Sequence, residues 1–306
     1  MLTPKAFSSC LAGLLLLAPA GAVCAQAEAL LKPDAPAAAL PKLDPEAESR
    51  RTRAQLIVDE AAKLFAQGRY GQAISALESA LELTPKSAAL WTARGWSLFY
   101  AGKMELALES FDQAIGYNPT LVRALNGKGM TLFSLGRYPE SAKLYDRALR
   151  ISPERELFWR LKGISLQHAG RGARALEAFE QALTIDAESK ELWKLKGISL
   201  FSLGHYGKAL KAFDQALELD PTLEDAWMSK ASCLVKLGRE EEALLLYDTA
   251  LRLNPLSAPT LHNKGVTLEQ MGKTAEAQRL YRKVVALHPE YVPAQQALDR
   301  LQMGSE

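Results

Sequence analysis

The stretch Trp193–Pro221 reads WKLKGISLFSLGHYGKALKAFDQALELDP, and it decides the fold. Apolar residues recur at intervals of three and four residues on both sides of Gly204, which is the pattern of two amphipathic helices. Gly204 stands where the first helix should end, because glycine readily takes the left-handed conformation that closes a helix. Pro221 ends the second helix and pre-sets the first turn of the next one. The stretch therefore predicts a helical hairpin.

The same pattern returns every 34 residues along the chain. We call residues at the same position of successive repeats a column. One complete column holds the glycines at the predicted ends of the first helices: Gly68, Gly102, Gly136, Gly170, Gly204, Gly238 and Gly272. Ala187 alone interrupts a second column, which holds the closing prolines: Pro85, Pro119, Pro153, Pro221, Pro255 and Pro289. The period predicts seven units: residues 54–87, 88–121, 122–155, 156–189, 190–223, 224–257 and 258–291.

The period also predicts how the units pack. One helical hairpin is too small to bury its apolar face, so each unit needs neighbours. A mid-helix glycine costs about 1 kcal/mol relative to alanine, so its recurrence predicts a close approach between helices. Such glycines stand in the first helices: Gly95, Gly129, Gly163, Gly197 and Gly265. Large residues of the second helices should fill the space opposite: Leu77, Phe111, Tyr145, Phe179, Phe213, Tyr247 and Tyr281.

Two columns of opposite charge accompany the repeat. The basic column consists of Arg94, Lys128, Lys162, Lys196, Lys230 and Lys264. The acidic column consists of Glu78, Asp112, Asp146, Glu180, Asp214 and Asp248. The basic column could be a stripe for an anionic polymer, or the two columns could form ion pairs between stacked units. Because the columns match in number and oppose in sign, they leave no net field, and we favour the ion pairs.

These features resemble the tetratricopeptide repeat: the 34-residue period, Trp–Gly–Leu in the first helix, Ala–aromatic–Ala in the second and the closing proline. The resemblance covers residues 54–291. It implies an all-α fold, a right-handed α-solenoid of tandem helix-turn-helix repeats. Residues 292–306 contain one more short amphipathic segment, which predicts a C-terminal capping helix and tail.

The first 25 residues differ from the rest. Lys5 precedes a leucine-rich apolar stretch, and Val23-Cys24-Ala25 offers small residues to a signal peptidase. Residues 1–25 therefore resemble a secretory signal peptide, and the apolar stretch is too short for a membrane span. We expect the chain to have no stable membrane span once the signal is cleaved. We expect export to the bacterial periplasm. The alternatives are a membrane anchor formed by the uncleaved signal or by a lipid on Cys24.

Residues 26–44 are rich in alanine and proline and lack periodicity, which predicts a disordered, semi-stiff linker. Asp44 can cap a helix and Pro45 suits its first turn, so the repeat region should extend over residues 45–291. Cys233 is the only cysteine that remains after removal of the signal, so the mature chain cannot form an internal disulfide. Its apolar helical surroundings predict a buried, inert thiol.

No pattern in the chain predicts catalysis. The four histidines lie in different units: His168, His205, His262 and His288. Zinc-protease, phosphate-loop and nucleophile-elbow motifs are absent from the sequence. The formal charge of +2 and the isoelectric point of about 8.3 do not indicate nucleic-acid binding. We therefore predict a non-enzymatic protein without a cofactor or metal, whose partners are proteins rather than nucleic acids.

The family resemblance also implies where a partner would bind. In such repeats the first helices line a concave groove, and certain columns face it. Carried over to repeats two to five, these columns predict a groove for a peptide or partner domain, lined by Trp96, Phe99, Tyr100, Arg123, Asn126, Met130, Phe133, Arg160, Lys194, Ile198 and Phe201. Trp96, Phe99 and Phe133 are the predicted apolar anchors, flanked by cations.

Two alternatives stay open at this point. The same side chains could pack on neighbouring helices of the array instead of lining a groove. The favoured function is an interaction scaffold or adaptor in the cell envelope. The chain could otherwise be a self-associating structural component of an envelope complex, or an accessory factor of a machinery that assembles surface polymers or glycans.

Overall fold

The computed structural model describes residues 45–303. The predicted signal peptide (1–25) and linker (26–44) lie outside the described residues, as do residues 304–306. Within the described range the chain is all-α, with fifteen helices and no strand. The helices are α1 Pro45–Ala66, α2 Tyr70–Leu83, α3 Ala88–Tyr100, α4 Met104–Tyr117, α5 Val122–Ser134, α6 Tyr138–Ile151, α7 Glu156–His168, α8 Gly172–Ile185, α9 Lys190–Ser202, α10 Tyr206–Leu219, α11 Glu224–Lys236, α12 Glu240–Leu253, α13 Ala258–Gln270, α14 Thr274–Leu287 and α15 Val292–Met303.

The helices divide into two compact units. Helices α1–α7, up to Gly170, belong to unit 1, and helices α8–α15, from Arg171 onward, belong to unit 2. The boundary falls inside the fourth repeat, between its first and second helix. Each unit has its own buried clusters, built around aromatic rings: Phe65, Trp96, Phe111, Tyr145 and Phe158 in unit 1, and Phe213, Tyr247 and Tyr281 in unit 2.

The glycine that closes each first helix has the predicted left-handed backbone. Gly204 has φ of +76°, and its amide donates to the carbonyl of Phe201 at 3.0 Å. The next amide, of His205, donates to the carbonyl of Leu200 at 2.9 Å. This pair of hydrogen bonds ends the first helix and turns the chain toward the second. All seven glycines of this column have positive φ, so the prediction is confirmed.

Tryptophan side chains secure the turns that lead into four of the first helices. The indole Nε1 of Trp193 donates to the backbone carbonyl of Ala187, six residues earlier, at 2.8 Å. The same hydrogen bond recurs from three more tryptophans to proline carbonyls, from Trp91 to Pro85, from Trp159 to Pro153 and from Trp227 to Pro221. Each bond satisfies a carbonyl that no helix uses, since the turn lies outside the helical ladder.

The two charge columns pair with each other across the helices, as favoured from the sequence. Each basic residue on a first helix contacts the acidic residue on the preceding second helix, and Lys230 lies 2.6 Å from Asp214. The other pairs are Arg94–Glu78, Lys128–Asp112, Lys162–Asp146, Lys196–Glu180 and Lys264–Asp248. The acidic members are between about one third and one half exposed, so each pair contributes at most about 1 kcal/mol.

Successive first helices also contact each other within each unit. In unit 1 helix α3 contacts α5, and in unit 2 helix α11 contacts both α9 and α13. The last helix, α15, packs on α14 and buries Ala294, Ala297 and Leu298. Over the described residues, none of the helices combines the length and apolar character that crossing a bilayer requires.

Candidate functional site

The structure places the predicted groove residues on four first helices, divided between the two units. In unit 1 they lie on α3, α5 and α7: Trp96, Phe99, Tyr100, Arg123, Asn126, Met130, Phe133 and Arg160. In unit 2 they lie on α9: Lys194, Ile198 and Phe201. We define the first-helix face of unit 1 as the surface formed by α1, α3, α5 and α7.

Two of the three predicted anchors are buried in the core of unit 1. Trp96 is 2% exposed and Phe99 is 5% exposed. Their rings meet edge to face at 5.7 Å between centroids, and Trp96 also meets Phe111 of the second helix α4 at 5.6 Å. These side chains therefore pack between helices, which is the alternative left open by the sequence. Phe133, the third anchor, is half-buried.

Lys194 is also buried, and its charge is balanced within the chain. It is 4% exposed, and its ammonium group lies 2.9 Å from Glu191 on the same helix and 2.8 Å from Asp225 on α11. Burial by itself lowers the pKa of Lys194, but the carboxylates of Asp225 and Glu191 together raise it above its usual value. The charge predicted to flank a groove thus joins α9 to α11.

The remaining predicted residues keep part of their surface open. Tyr100, Met130 and Phe133 in unit 1, and Ile198 and Phe201 in unit 2, are all half-buried. Arg123 and Asn126 are half-buried as well. Arg160 pairs with Glu156 one turn earlier at 2.9 Å, so the carboxylate already balances its charge. In unit 1 the open part of the predicted site therefore includes apolar side chains and partly exposed arginines.

Three buried polar atoms of unit 1 have no hydrogen-bond partner in the described chain. They are Nε1 of Trp96, Oδ1 of Asn126 and Nε2 of His168. The contrast with the other four tryptophans is direct, because each of those donates to a backbone carbonyl, as Trp159 does to Pro153 at 2.9 Å. More than nine in ten buried polar groups in proteins have a partner, so these three atoms are exceptions among the described residues.

Helix packing brings the part of α5 that carries Asn126 close to the core cluster of Trp96. The ring of Phe111 lies between α3 and α5, 5.6 Å from the Trp96 ring. On α5, the residue after Asn126 is Gly127, where any Cβ would collide with that same Phe111 ring. Met130, one turn further on, packs against the cluster that contains Trp96. The absence of a side chain at Gly127 therefore lets the Asn126 turn of α5 lie against the Trp96 region.

Aromatic rings form a first cluster on this face, where α1, α2 and α3 meet. Phe65 contacts Tyr70 at 5.2 Å and Tyr100 at 5.3 Å between ring centroids, both edge to face. Tyr70 and Tyr100 stack at 5.7 Å. Phe65 is fully buried and the two tyrosines are half-buried, so the cluster joins the core to the open surface.

A second cluster repeats this arrangement 68 residues later, which is two repeats along the chain. Phe133, Tyr138 and His168 occupy the three equivalent positions, and the His168 ring lies 5.0 Å from each of the other two. Burial lowers the pKa of His168, so its ring is neutral at neutral pH. The groove prediction did not include His168, although its alignment with Tyr100 at a spacing of two repeats was visible in the sequence.

In composition, the described part of the chain offers apolar and hydrogen-bonding contacts rather than metal ligation. Within residues 45–303 no group of three histidine, cysteine, aspartate or glutamate side chains is placed to hold a metal ion. Cys233 is a buried free thiol, as predicted. The first-helix face of unit 1 thus combines half-buried aromatic and aliphatic side chains with a donor, an acceptor and a neutral imidazole.

Comparison with solved structures supports the same fold. A tetratricopeptide repeat protein from Parabacteroides merdae is 16% identical, with a TM-score of 0.66 over 81% of this chain and 98% of its own. The C-terminal part of a tetratricopeptide repeat protein from Cytophaga hutchinsonii is 18% identical, with a TM-score of 0.62 over 78% of this chain and 98% of that part. The pilF protein of Pseudomonas aeruginosa is 20% identical, with a TM-score of 0.57 over 74% of this chain and 99% of its own. At these identities the likeness shows the fold alone.

Family comparison gives a consistent result, although the search of curated proteins found no match. One profile described as tetratricopeptide repeat matches five overlapping segments: residues 58–116, 92–156, 127–190, 160–224 and 194–258. A second profile with the same description matches residues 246–279. Together these segments span well over half of the chain. The chain belongs to the tetratricopeptide repeat family.

Proposed function

We propose that this chain is a non-enzymatic adaptor that binds an extended peptide segment of a partner protein on the first-helix face of unit 1. Tetratricopeptide repeat proteins generally serve as scaffolds for protein–protein interaction, which gives the class of partner. One observation carries the position of the site. Trp96 Nε1 and Asn126 Oδ1 are buried on this face without hydrogen-bond partners.

The chemistry of these two atoms suits a peptide backbone. Each peptide unit, except at proline, presents one N–H donor and one carbonyl acceptor. The Trp96 indole can donate to a carbonyl, and the Asn126 side-chain oxygen can accept from an N–H. Leaving such a buried group unsatisfied costs about 1–3 kcal/mol, and a strand that reached these atoms by displacing the half-buried side chains around them would remove that cost. Both atoms would hydrogen-bond to the main chain of the bound peptide, so they favour an extended peptide without selecting its amino-acid sequence.

Half-buried apolar side chains would supply the remaining contacts. Tyr100 and Met130 pack against the cluster that contains Trp96, Phe133 lies further along α5, and all three keep part of their surface open. Burying such surface contributes about 25 cal/mol per Å². Alternate side chains of an extended peptide point to the same side, so they could contact these residues in turn.

The test begins with a phage-displayed library of random dodecapeptides, panned against the full chain. The selected peptide is then titrated calorimetrically against Trp96→Phe and Asn126→Ala. Trp96→Phe keeps one aromatic ring in the core and removes the donor together with the second ring, so we expect at least about tenfold weaker binding, or about 1.4 kcal/mol. Trp159→Phe is the matched control, because its indole bonds the Pro153 carbonyl away from the site.

Two results would contradict the proposal. The library could yield no peptide that binds the folded chain. Alternatively, a peptide could bind Trp96→Phe and Asn126→Ala as tightly as the wild type, while both variants keep their helical circular dichroism. Either result would mean that the face serves packing alone.

We also propose that the adaptor acts after export, in the cell envelope. Support comes from the sequence of residues 1–25, with its leucine-rich stretch and the small residues before Gln26. N-terminal sequencing of the protein recovered from its host tests the proposal. A first residue of Gln26 is expected. A first residue of Met1 would favour an uncleaved anchor, and a lipid-modified Cys24 at the new terminus would favour lipid anchoring.

A further inference from the structure

The last described helix, α15, packs on the preceding helix pair of unit 2. Its backbone contacts α14, and Ala297 and Leu298 share a buried cluster with Leu268 of α13 and Tyr281 of α14. Leu268 and Tyr281 are both buried in this position of α15. Apolar burial therefore holds α15 in place, and a group that opposes docking must act against that gain.

His262 of α13 lies where α15 begins. Its ring forms a hydrogen bond with the backbone of Pro293, and because proline has no backbone N–H, the ring donates to the Pro293 carbonyl. The ring centroid lies 5.6 Å from that of Tyr291, just before α15, and 5.6 Å from that of Tyr281 on α14. One side chain of α13 therefore contacts both α14 and the start of α15.

The repeat does not require a histidine at this position. The other six repeats have six different residues there: Val58, Thr92, Asn126, Arg160, Lys194 and Met228. His262 belongs to the repeat that is followed by α15 instead of by another repeat. The repeat pattern alone therefore does not explain why a titratable ring stands at this contact.

Two charged groups act on the His262 ring, Arg300 from α15 and Glu269 from its own helix. They are already bound to each other, because the Arg300 guanidinium donates to both carboxylate oxygens of Glu269 at 2.9 and 2.8 Å. Tyr281 of α14 also donates to Glu269, at 3.0 Å, and Tyr291 faces the imidazole with a neutral ring. Helix α11, which also contacts α13, adds no charged group to those that shift the pKa of His262. A protonated ring would therefore have no carboxylate of its own.

The position of α15 determines the pKa of the His262 imidazole. Burial, together with the nearby Arg300, keeps this pKa below its usual value, although hydrogen bonds to Asn263 and Pro293 act in the opposite direction. When α15 moves away, the ring meets water and loses Arg300, so its pKa returns toward about 6.5. The undocked chain then takes up a proton before the docked chain does. Docking is at full strength above about pH 6.5 and weakens as the pH falls toward the lower pKa of the docked ring.

We propose that His262 makes the docking of α15 sensitive to acid, so that protonation of its ring releases α15 from α13 and α14 while the rest of unit 2 stays folded. Loss of the proton allows α15 to dock again. Release uncovers Leu268 and Tyr281, so the two forms differ in exposed apolar surface. This switch is independent of the proposed peptide site, which lies in unit 1.

Hydrogen exchange of the full chain at pH 7 and pH 5, followed by mass spectrometry, tests the proposal. Protection factors correct each exchange rate for the intrinsic effect of pH, and α10 amides of the same unit provide the reference. We expect the protection of α15 relative to α10 to be at least about threefold lower at pH 5, since local opening exposes α15 amides without unfolding α10.

His262→Gln removes the titrating group and keeps a side-chain N–H that can donate to the Pro293 carbonyl. In this variant we expect the same relative protection of α15 at both pH values. His205→Gln is the matched control, because His205 is exposed between α9 and α10, and it should lose α15 protection at pH 5 as the wild type does.

Two results would overturn the proposal. The wild-type chain could show the same protection of α15, relative to α10, at pH 5 and pH 7. Alternatively, His262→Gln could lose as much α15 protection at pH 5 as the wild type, which would assign the effect of acid to another group.

Discussion

The ring of Phe213 lies so close to Gly197 that a Cβ added to the glycine would come 2.7 Å from its Cε1 atom. Phe213 is fully buried, so its ring has no open space into which to move. The same relationship joins other members of the two columns: Gly95 with Phe111, Gly129 with Tyr145 and Gly265 with Tyr281. Mid-helix glycines and large residues of the second helices therefore form one packing feature in these repeats.

Gly197→Ala is expected to destabilise the chain. Overpacking a core costs about 1–3 kcal/mol, and the better helix propensity of alanine offsets at most about 1 kcal/mol of this. Gly207→Ala is the control, because nothing lies within 4 Å of its Cβ position at the start of α10. The control should leave stability unchanged or slightly raised. Urea unfolding measures both, and equal midpoints would contradict the close approach.

Lys194→Met should lower the free energy of unfolding by about 1–3 kcal/mol. The substitution keeps the length of the buried stem but leaves Glu191 and Asp225 without their shared cation. The cost stays below that of a fully buried pair, because these carboxylates are 29% and 34% exposed. Lys196→Met is the control, since its partner Glu180 is 48% exposed and the pair contributes little. If urea unfolding showed the same loss of unfolding free energy for Lys194→Met and Lys196→Met, the buried Lys194 would contribute no more than an exposed ion pair.

Arg300→Ala should loosen the last helix without unfolding the chain. The Arg300 guanidinium donates to both carboxylate oxygens of Glu269, at 2.9 and 2.8 Å, and so ties α15 to α13. Arg300 is 60% exposed, so the loss of global stability should stay under about 1 kcal/mol. Hydrogen exchange of α15 amides should become faster. Gln295→Ala, on the same helix, is the control, and identical exchange in the two variants would count against the tie.

The stability of the chain should decrease as the pH falls below about 6.5, partly because of His168. Burial holds the pKa of His168 below its usual value, so the unfolded chain takes up a proton before the folded chain does. The stability that the neutral His168 ring contributes is complete above the pKa that this imidazole has in the unfolded chain. It is lost as the pH falls toward the lower pKa of the folded chain. His168→Tyr, which installs the residue type of the equivalent Tyr100, should make unfolding midpoints less dependent on pH.

His262 provides the comparison for that measurement. Burial also lowers its pKa, so His168→Tyr should remove only part of the pH dependence. Replacing His262 as well should remove a further part of the pH dependence. If His168→Tyr left the pH dependence of the unfolding midpoint unchanged, protonation of the ring that packs against Phe133 and Tyr138 would have no effect on stability.

Cys233 should resist alkylation in the folded chain. Its side chain is fully buried, and burial raises the pKa of its thiol to about 12, so almost no thiolate is present at neutral pH. Iodoacetamide labelling followed by peptide mass spectrometry should show modification of Cys233 only in denaturant. Ser202→Cys, at an exposed position of unit 2, should be labelled in the folded chain. Rapid labelling of Cys233 under native conditions would contradict its burial.

Local features of the fold could be predicted from the sequence because their causes are local. The position of Gly204 marks a helix end since only a left-handed residue closes the helix there, and this holds in all seven repeats. The pairing of the charge columns followed from their equal number and opposite sign. The contact between Gly197 and Phe213 could be predicted because mid-helix glycine lowers helix stability in repeat after repeat. Closer packing between helices must offset that loss each time.

The candidate site was less predictable, because exposure depends on neighbouring helices. Trp96 and Phe99 stand in columns that face a groove in the family, yet Phe111 and the approach of α5 at Gly127 enclose them. Lys194 was predicted to flank the groove, but Asp225 from the next repeat binds it. His168 was not included, since its role depends on contacts with two rings from the preceding repeat.

The sequence by itself determined the helical hairpins, their 34-residue period and the residues that join one hairpin to the next. These depend on spacing along the chain, where 3.6 residues make a helical turn and glycine and proline mark its ends. Only the tertiary structure decided which side chains stay open, which polar atoms lack partners, and that His262 contacts the start of α15. Those properties arise where helices from different repeats meet, so no single stretch of sequence contains them.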